Sequence, residues 1–380
     1  MLLFFECQSI FPLQLGIPAQ LTLAKSSSFM VKWIDSTNHG GMQIMKIFVD
    51  AMGGDFAPQA PVEGAVEALR RYPNIEVVLA GVIPEIEKYL VDCDDVRSRI
   101  TLLDAPEVIT NDESPVMGVR RKTKSATVMG MLQLREKEVD GFVSAGSTGA
   151  VLAGGMFRLG RIPGIERPAL APLMPNGKGH FLLIDCGANV DCKPEYLVQF
   201  GVMGDAYMRG VMDMEKPRVG LVNIGAESEK GNALVKATYP LMETAPYHFV
   251  GNVEARDITN DTADVMVTDG FCGNLILKFM EGLAGTLMGI IKNEMMADTR
   301  GKIAGLIAKP AFKRVKKLMD YTEVGGAPLL GVQGAVVKAH GSSNAHAFSC
   351  AIGQVIKMID GKVVSIIEKG VERIAAQENA

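Results

Sequence analysis

The chain is poor in the features that would assign a function class outright. Its 380 residues include six cysteines and five histidines, with no CxxC pair and no His/Cys spacing typical of a zinc site. No metal centre is expected, and Cys7, Cys93, Cys186, Cys192, Cys272 and Cys350 read as the reduced thiols of a cytoplasmic protein. Excess charge of one sign is also missing: the net charge is −4 and the pI about 5.8, so no global basic field draws the chain to nucleic acid. No run reaches the roughly 18 uninterrupted apolar residues that a spanning helix needs. Internal repeats, low-complexity linkers and the glycine fingerprints of nucleotide-binding loops do not occur either.

What is present is the composition of an ordinary globular chain, 48% hydrophobic and 22% charged, long enough to bury an ample core. Residues 1–44 stand apart: the start is apolar but carries Glu6, lacks a basic leader and is broken by Pro12 and Pro18, which makes a poor signal peptide. A polar, turn-rich stretch with the single Trp33 follows, and a clean buried strand begins at Lys46. Residues 1–44 are therefore expected to be an extension with little regular structure, and residues 45–375 a single domain.

From Met45 onward, short apolar runs alternate with longer helical patterns, the signature of an α/β fold. Strands are expected at Ile47–Asp50, Ile75–Ala80, Ile100–Leu103, Gly141–Ser144, Phe181–Asp185, Val219–Asn223, His248–Gly251 and Val265–Thr268. Helices are expected at Pro61–Arg71, Ile83–Val91, Lys124–Glu138, Ala150–Gly160, Pro194–Met212 and Asn232–Glu243, from Asn274 to about Asp320, and after Ser342. The order implies a doubly wound α/β/α body, with the possibility of two lobes sharing one sheet.

The strand ends share a chemical flavour. DAMGGD follows the first strand, and the others give AGSTG, DCGANVDCK, NIGAESEKG, GNVEARD and TDGFCGN. In open α/β sheets, ligands bind outside the carboxyl ends of strands, so six Gly/Asp/Asn loops at such ends are expected to converge on one site. Each loop alone is also explained by the turn-forming habits of Gly, Asp and Asn. The sharpest of them is Ser144–Gly149, where a strand turns abruptly into a helix and aims several backbone N–H groups at one spot suited to phosphate or carboxylate.

Charge adds a second pattern. Arg120, Arg121, Lys122 and Lys124 cluster, and Arg300 to Lys317 carries seven basic residues and no acidic one. The helical pair expected at about 282–320 sets Ile303, Leu306 and Ile307 on one face and, after Pro310, Phe312, Val315, Leu318 and Met319 on another. Such a pair, with Lys309, Lys313, Arg314, Lys316 and Lys317, suits an acidic partner protein or an anionic membrane surface. Packing between subunits with solvated lysines is the bland alternative.

The segments MKIFVDAMGGDFAP, SAGSTGA, DCGANVDCKPEYLVQF, NIGAESEKGN, GNVEARDI, VMVTDGFCGNLILKFMEG and KAHGSSNAHAF resemble, in order and from about Met45 to residue 370, the bacterial acyl-acyl carrier protein:phosphate acyltransferases of the PlsX family. The resemblance implies a fold similar to the phosphotransacetylase and isocitrate/isopropylmalate dehydrogenase group. It also implies a cytoplasmic homodimer in peripheral contact with the membrane, and the conversion of acyl-acyl carrier protein and inorganic phosphate into acyl phosphate and free carrier protein. That is an early step of phospholipid synthesis, upstream of a membrane glycerol-phosphate acyltransferase, and the chemistry requires no cofactor. By the same resemblance Lys193 and Asn252 take the catalytic roles, on the phosphate or the developing oxyanion and on the carbonyl or phosphate respectively.

Gly146, Ser147 and Thr148 are assigned to phosphate, with Asn189, Glu254, Arg256, Asp269, Asn274 and the glycines before Ala327 as lining. His340 and His346 are candidates to protonate a leaving thiolate, and Cys186 or Cys192 would be the nucleophile of a covalent alternative. Three rival readings remain: a phosphotransacetylase for short acyl-CoA, a dehydrogenase built on Asp50, Asp55 and Asp269, and a carrier-protein-binding scaffold without activity.

Overall fold

Runs of β-branched and aliphatic residues that are apolar at every position have no solvated face, and so form parallel strands covered on both sides. The computed structural model of the chain describes residues 44–318 and 323–378, apart from the side chains of 316–318 and 378. All of the extension except Ile44, and the side chains of Lys316 and Lys317, lie outside the described residues. β1 (Met45–Asp50), β2 (Ile75–Gly81), β3 (Ile100–Asp104) and β4 (Gly141–Ser144) approach this pattern, interrupted by Lys46 and Glu76 and, on outermost β3, by exposed Thr101 and Asp104; they pair in parallel, with Ile47 beside Val77 and Phe48 beside Phe142.

Two sheets result where a shared one was entertained. The first has seven strands in the order β3-β2-β1-β4-β12-β11-β5, with β5 at Ala169–Leu170, β11 at Ala327–Leu330 and β12 at Ala335–Lys338. The second has five, β6-β7-β10-β8-β9, formed by Leu173–Pro175, His180–Ile184, Val265–Val267, Arg218–Asn223 and His248–Glu254 in that spatial order. One stretch of chain serves both. β5 pairs antiparallel with β11 at the edge of the first sheet, and after Ala171 and Pro172 β6 pairs antiparallel with β7 at the edge of the second. Strands of two and three residues, one ending in proline, carry too little periodic signal to be expected from sequence.

Helices cover the faces. Along β1, Ile47 and Val49 pack on one side with α1 (Gln59–Arg71) and with α10 (Ala345–Asp360), while Phe48 points to the other side with α4 (Ala126–Arg135). The remaining helices in chain order are α2 (Ile83–Glu87), α3 (Pro115–Arg121), α5 (Thr148–Gly154), α6 (Pro194–Met212), α7 (Ala233–Glu243), α8 (Gly270–Ala297), α9 (Thr299–Leu318) and α11 (Val363–Glu378). α6 occupies the span expected for it: Pro194 sits at its first position, where no amide is needed, and Asp213 ends it in the left-handed region. α4 is shorter than Lys124–Glu138 because Ser125 caps it, its side chain accepting from the Val128 amide at 3.4 Å. α2 stops at Glu87, short of Val91, and α3 was not expected.

The pair expected at 282–320 begins twelve residues earlier, at Gly270, breaks at the extended Asp298 and runs through Pro310 without interruption. α8 is long and apolar enough to cross a membrane by length and composition. Only Gly270 and Gly273 of its 28 residues are buried. Phe271, Leu275, Phe279, Leu283 and Leu287 recur every fourth residue and are all exposed, a continuous apolar stripe about 24 Å long at the helical rise.

The core of the first sheet turns on close approach. A Cβ on Gly130 of α4 would lie 2.5 Å from the Phe142 ring, which stacks on Phe48 with centroids 5.8 Å apart. Replacing Phe142 by Ala is expected to cost about 3–5 kcal/mol in urea unfolding, the range for emptying a fully buried aromatic site. A cost below ~1 kcal/mol would mean that the sheet and α4 collapse onto the gap.

Candidate active site

The strand order locates the crevice before any side chain is considered. From β1 the chain steps outward to β2 and β3, and then returns to place β4 on the opposite side of β1. The carboxyl ends of β1 and β4 therefore diverge, and their loops leave a gap between them. That gap opens into a cavity of about 1300 Å³.

Its floor is made by three adjacent strand ends. The loop after β1 meets the loop after β4 backbone to backbone: a Cβ on Gly53 would fall 2.5 Å from the Gly146 nitrogen. At Gly54, with φ +104°, a Cβ would lie 3.0 Å from the Ala145 Cβ and 3.1 Å from the Gly341 carbonyl of the loop after β12. The Asp55 amide donates to that Gly341 carbonyl at 2.8 Å and closes the ring of loops. These contacts are the reason for the paired glycines of DAMGGD, since no other residue fits such spacing.

Beneath the loops lies a buried polar network that sequence reasoning missed. The Asp50 carboxylate, 4% exposed, accepts from Ser144 Oγ at 2.8 Å, Thr127 Oγ1 at 3.1 Å and the Met52 amide at 3.1 Å. Ser144 Oγ in turn accepts from the Gly146 amide at 3.0 Å, so one carboxylate fixes the turn that opens α5. Burial pushes the Asp50 carboxyl up, opposed by Ser144, Met52, Thr127 and the charge of Lys338. Lys338, at the end of β12, donates to the carbonyls of Ala145 (3.4 Å) and Ala339 (2.5 Å), and burial holds its ammonium down to about 8. The signal that could have found it is the run AVVK between Gly334 and the KAHG turn, a short strand ending in a cation.

The walls are of two kinds. Cys186 and Gly187 after β7, Asn274 at the start of α8, His340, and Glu107 to Asp112 give polar edges. Leu170, Leu173 and Met174 from the segment between the sheets, and Leu277, Met280, Ala284 and Met288 along α8, give an apolar side. Lys278 and Glu281 pair at 2.9 Å on the same helix. Polar floor and apolar flank thus share one space.

The residues expected from sequence divide. Gly146, Ser147, Thr148 and Asn274 line the cavity, as do Gly326 and Ala327, and four of the six strand-end loops reach it. The loops after β8 and β9 are not among its lining residues, and neither are Lys193, Asn189, Asn252, Glu254, Arg256 and Asp269. Asn189 is held inside its own loop, its Nδ2 donating to the Pro168 carbonyl (2.8 Å) and to Asp185 (3.0 Å). Asp185, whose carboxyl burial pushes up to about 6, also accepts the Leu170 and Asn189 amides and so ties that loop to β5. Asp269 caps α8 through the Cys272 amide (2.9 Å), and Arg256 pairs with Glu254 (3.2 Å) at the surface.

Lys193 is exposed at the end of the loop that begins with Cys186 and Gly187, its ammonium 5.9 Å from the centre of the Tyr196 ring. Asn252 follows Gly251, at φ +92°, in β9, where the pairing with β8 slips from Val219–Phe249 to Leu221–Asn252. Bulges of this kind re-aim a side chain. Asn252 Nδ2 donates to the Glu227 carbonyl at 2.8 Å, while its Oδ1 is buried without a hydrogen-bond partner among the described residues.

The thiols and histidines are less suited to chemistry. Burial pushes Cys192 up to about 12 and Cys186 well above its ordinary range, which removes the thiolate a covalent route needs. His340 lines the cavity with Nδ1 2.8 Å from Ser342 Oγ, and burial lowers its pKa. His346 lies on α10 with Nδ1 3.0 Å from Glu67, outside the cavity lining. Among the described residues no group of acids, cysteines or histidines is arranged to hold a metal ion, so the acid cluster of the dehydrogenase reading is not assembled.

Taken as a fold, the chain is a phosphotransacetylase-like α/β protein. It superposes on the phosphotransacetylase of Streptococcus pyogenes with a TM-score of 0.56 at 16% identity, over 84% of this chain and 94% of that one. The family model described as "Fatty acid synthesis protein" matches residues 45–366. The chain is 50% identical to the phosphate acyltransferase of Alkaliphilus oremlandii over 334 residues, 88% of this chain and 99% of that protein. It is 47% identical to that of Clostridium novyi over 333 residues, 87% and 99% of the two. The chain belongs to the PlsX family of phosphate acyltransferases.

The floor geometry yields a direct test. A methyl group at Gly53 must displace the Gly146 amide, so Gly53→Ala is expected to lower kcat/KM for acyl transfer at least about tenfold, with a loss of only ~1–3 kcal/mol in folding stability. Steady-state kinetics beside a denaturation curve separate the two effects. Wild-type kinetics in the variant would mean that the loops are slack.

Proposed function

We propose that the protein transfers an acyl group from acyl-acyl carrier protein to inorganic phosphate, giving acyl phosphate and free carrier protein for phospholipid synthesis. The observation that carries this reading is the cavity itself: a floor of backbone amides and hydroxyls beside Lys338, and a flank of leucine and methionine along α8. Phosphate suits the first and a long acyl chain the second. A phosphotransacetylase for short acyl-CoA would need the floor but little of the flank, and the size of the cavity favours the longer donor.

The chemistry is a direct displacement. Phosphate, partly dianionic at neutral pH, attacks the thioester carbonyl; an O–C bond forms, the tetrahedral oxyanion collapses, and the C–S bond breaks to release a thiolate that takes up a proton. Because a thiol of ordinary pKa near ~8.5 is a tolerable leaving group, the protein needs chiefly to position the reactants and stabilise charge. In this reading Gly146, Ser147 and Thr148 hold phosphate; Lys193 acts on phosphate or the oxyanion, and Asn252 orients the carbonyl or phosphate, its Nδ2 being released from the Glu227 carbonyl to donate. No protein cofactor enters the scheme.

The surface supports the partners. Lys309, Lys313 and Arg314 are exposed on α9 and offer an acidic carrier protein a basic face. The stripe on α8, with exposed Ile303, Leu306 and Ile307 on α9, is more apolar surface than a solvated helix pair carries. A second subunit and a membrane surface are the covers we propose, consistent with a peripheral cytoplasmic homodimer that hands its product to a membrane glycerol-phosphate acyltransferase.

Purified protein given acyl-acyl carrier protein should consume it only when phosphate is added, leaving a product that hydroxylamine traps as the hydroxamate. A scaffold would give none, and faster turnover of acetyl-CoA would move the assignment to the short-chain reading. Lys193→Ala is expected to lower kcat by roughly 10²–10³, the worth of one well-placed oxyanion donor. Unchanged turnover would remove Lys193 from the mechanism.

A further inference from the structure

The buried ammonium of Lys338 has no use in the roles given so far. It sits at the carboxyl end of β12, 8% exposed, and belongs to the cavity lining. Two of its three N–H groups are taken by the Ala145 and Ala339 carbonyls, which fix its position at the root of the Gly146–Thr148 loop. Neither partner is charged, and among the described residues no carboxylate pairs with it. Asp50 and Asp55 act on it only through their charge, and the hydrogen bonds of Asp50 go to Ser144, Thr127 and Met52.

A buried cation without a contacting anion costs several kcal/mol unless something completes it. The groups that face Lys338 from the surrounding elements are Asp50 at the end of β1, Asp55 in the loop after it, Lys278 on α8 and His340 on its own loop. Lys278 already has Glu281. The open side of Lys338 is the cavity, which Ser147 and Thr148 also line; the Gly146 amide is already given to Ser144.

We propose that Lys338 is a substrate-binding residue, whose third N–H and positive charge hold the inorganic phosphate that serves as acyl acceptor on the cavity floor. The assignment rests on the acyl-transfer reading for the word acceptor, but not for the phosphate site itself. It divides the labour: Lys338 and the Gly146–Thr148 loop hold the nucleophile, and Lys193 is left for the oxyanion. Asp50 touches no substrate; it positions Ser144 and Gly146 and balances the charge of Lys338.

Calorimetric titration of inorganic phosphate into the full chain tests this. Lys338→Met, close in shape and without charge, is expected to weaken the phosphate Kd about 10- to 100-fold at pH 7, with the KM for acyl-acyl carrier protein changed less than about twofold. A wild-type Kd in the variant overturns the proposal. A second arm holds if the methionine variant does not fold. Wild-type phosphate affinity should fall from pH 7 to 9.5 as the ammonium, held down to about 8 by burial, loses its proton. Lys338→Arg, charged throughout, should resist that fall, and an equal fall in both proteins overturns the proposal. Weakened phosphate binding in a Lys338→Met protein whose wild type forms no acyl phosphate would remove the acyl-transfer reading and leave Lys338 in place. Normal phosphate binding by that variant beside normal acyl phosphate formation by the wild type would do the reverse.

Discussion

The carboxylate of Asp50 is the point on which the rest of the cavity depends. A charge at that depth is tolerable only if its lone pairs are met, and the donors come from separate elements: Ser144 on β4, Thr127 on α4 and the Met52 amide in its own loop. Each donor, in meeting the charge, is itself fixed. Ser144 then fixes the Gly146 amide, and Gly53 and Gly54 permit the approach that puts β1 and β4 ends in register with it. The order of the loops is thus enforced by the cost of leaving one buried oxygen unmet, and Lys338 gains its own place from carbonyls that the same arrangement presents.

Much of this was legible in the chain and some of it could not be. Strands β1 to β4, β7, β8 and β10 were readable because they carry short, mostly buried apolar runs, and α6 because Pro194 and the turn at Asp213 bracket it. β5 and β6 were not, since two or three residues hold no period. The anion loop at Ser144–Gly149 was visible as a break between strand and helix formers. Its dependence on Asp50 was not, because 94 residues separate Asp50 from Ser144 and nothing local in either segment names the other. Lys338 was hidden inside a recognisable motif whose lysine reads, by itself, as a surface residue. Proximity along the chain also overstated the convergence of loops: those after β8 and β9 share the chemistry of the rest, but lie where the second sheet runs away from the cavity lining.

α8 joins two surfaces with opposite requirements. One side, through Leu277, Met280, Ala284 and Met288, is wall to the cavity; the other, through Leu275, Phe279, Leu283 and Leu287, is open. The helix is anchored in the body at Gly270 and Gly273, so the wall it gives the cavity depends on how the rest of its length is held.

The crossing at residues 169–175 sets a limit on how the cavity can change shape. Its ladder bonds reach both sheets, and Cys186 donates its amide to Leu170 at 2.9 Å while Leu170 donates its own to Asp185 at 2.9 Å. For the sheets to swing apart as two halves of a clamp, these bonds would have to break in a dry environment where nothing replaces them. The seam at residues 169–175 therefore holds the two sheets together along one wall of the cavity.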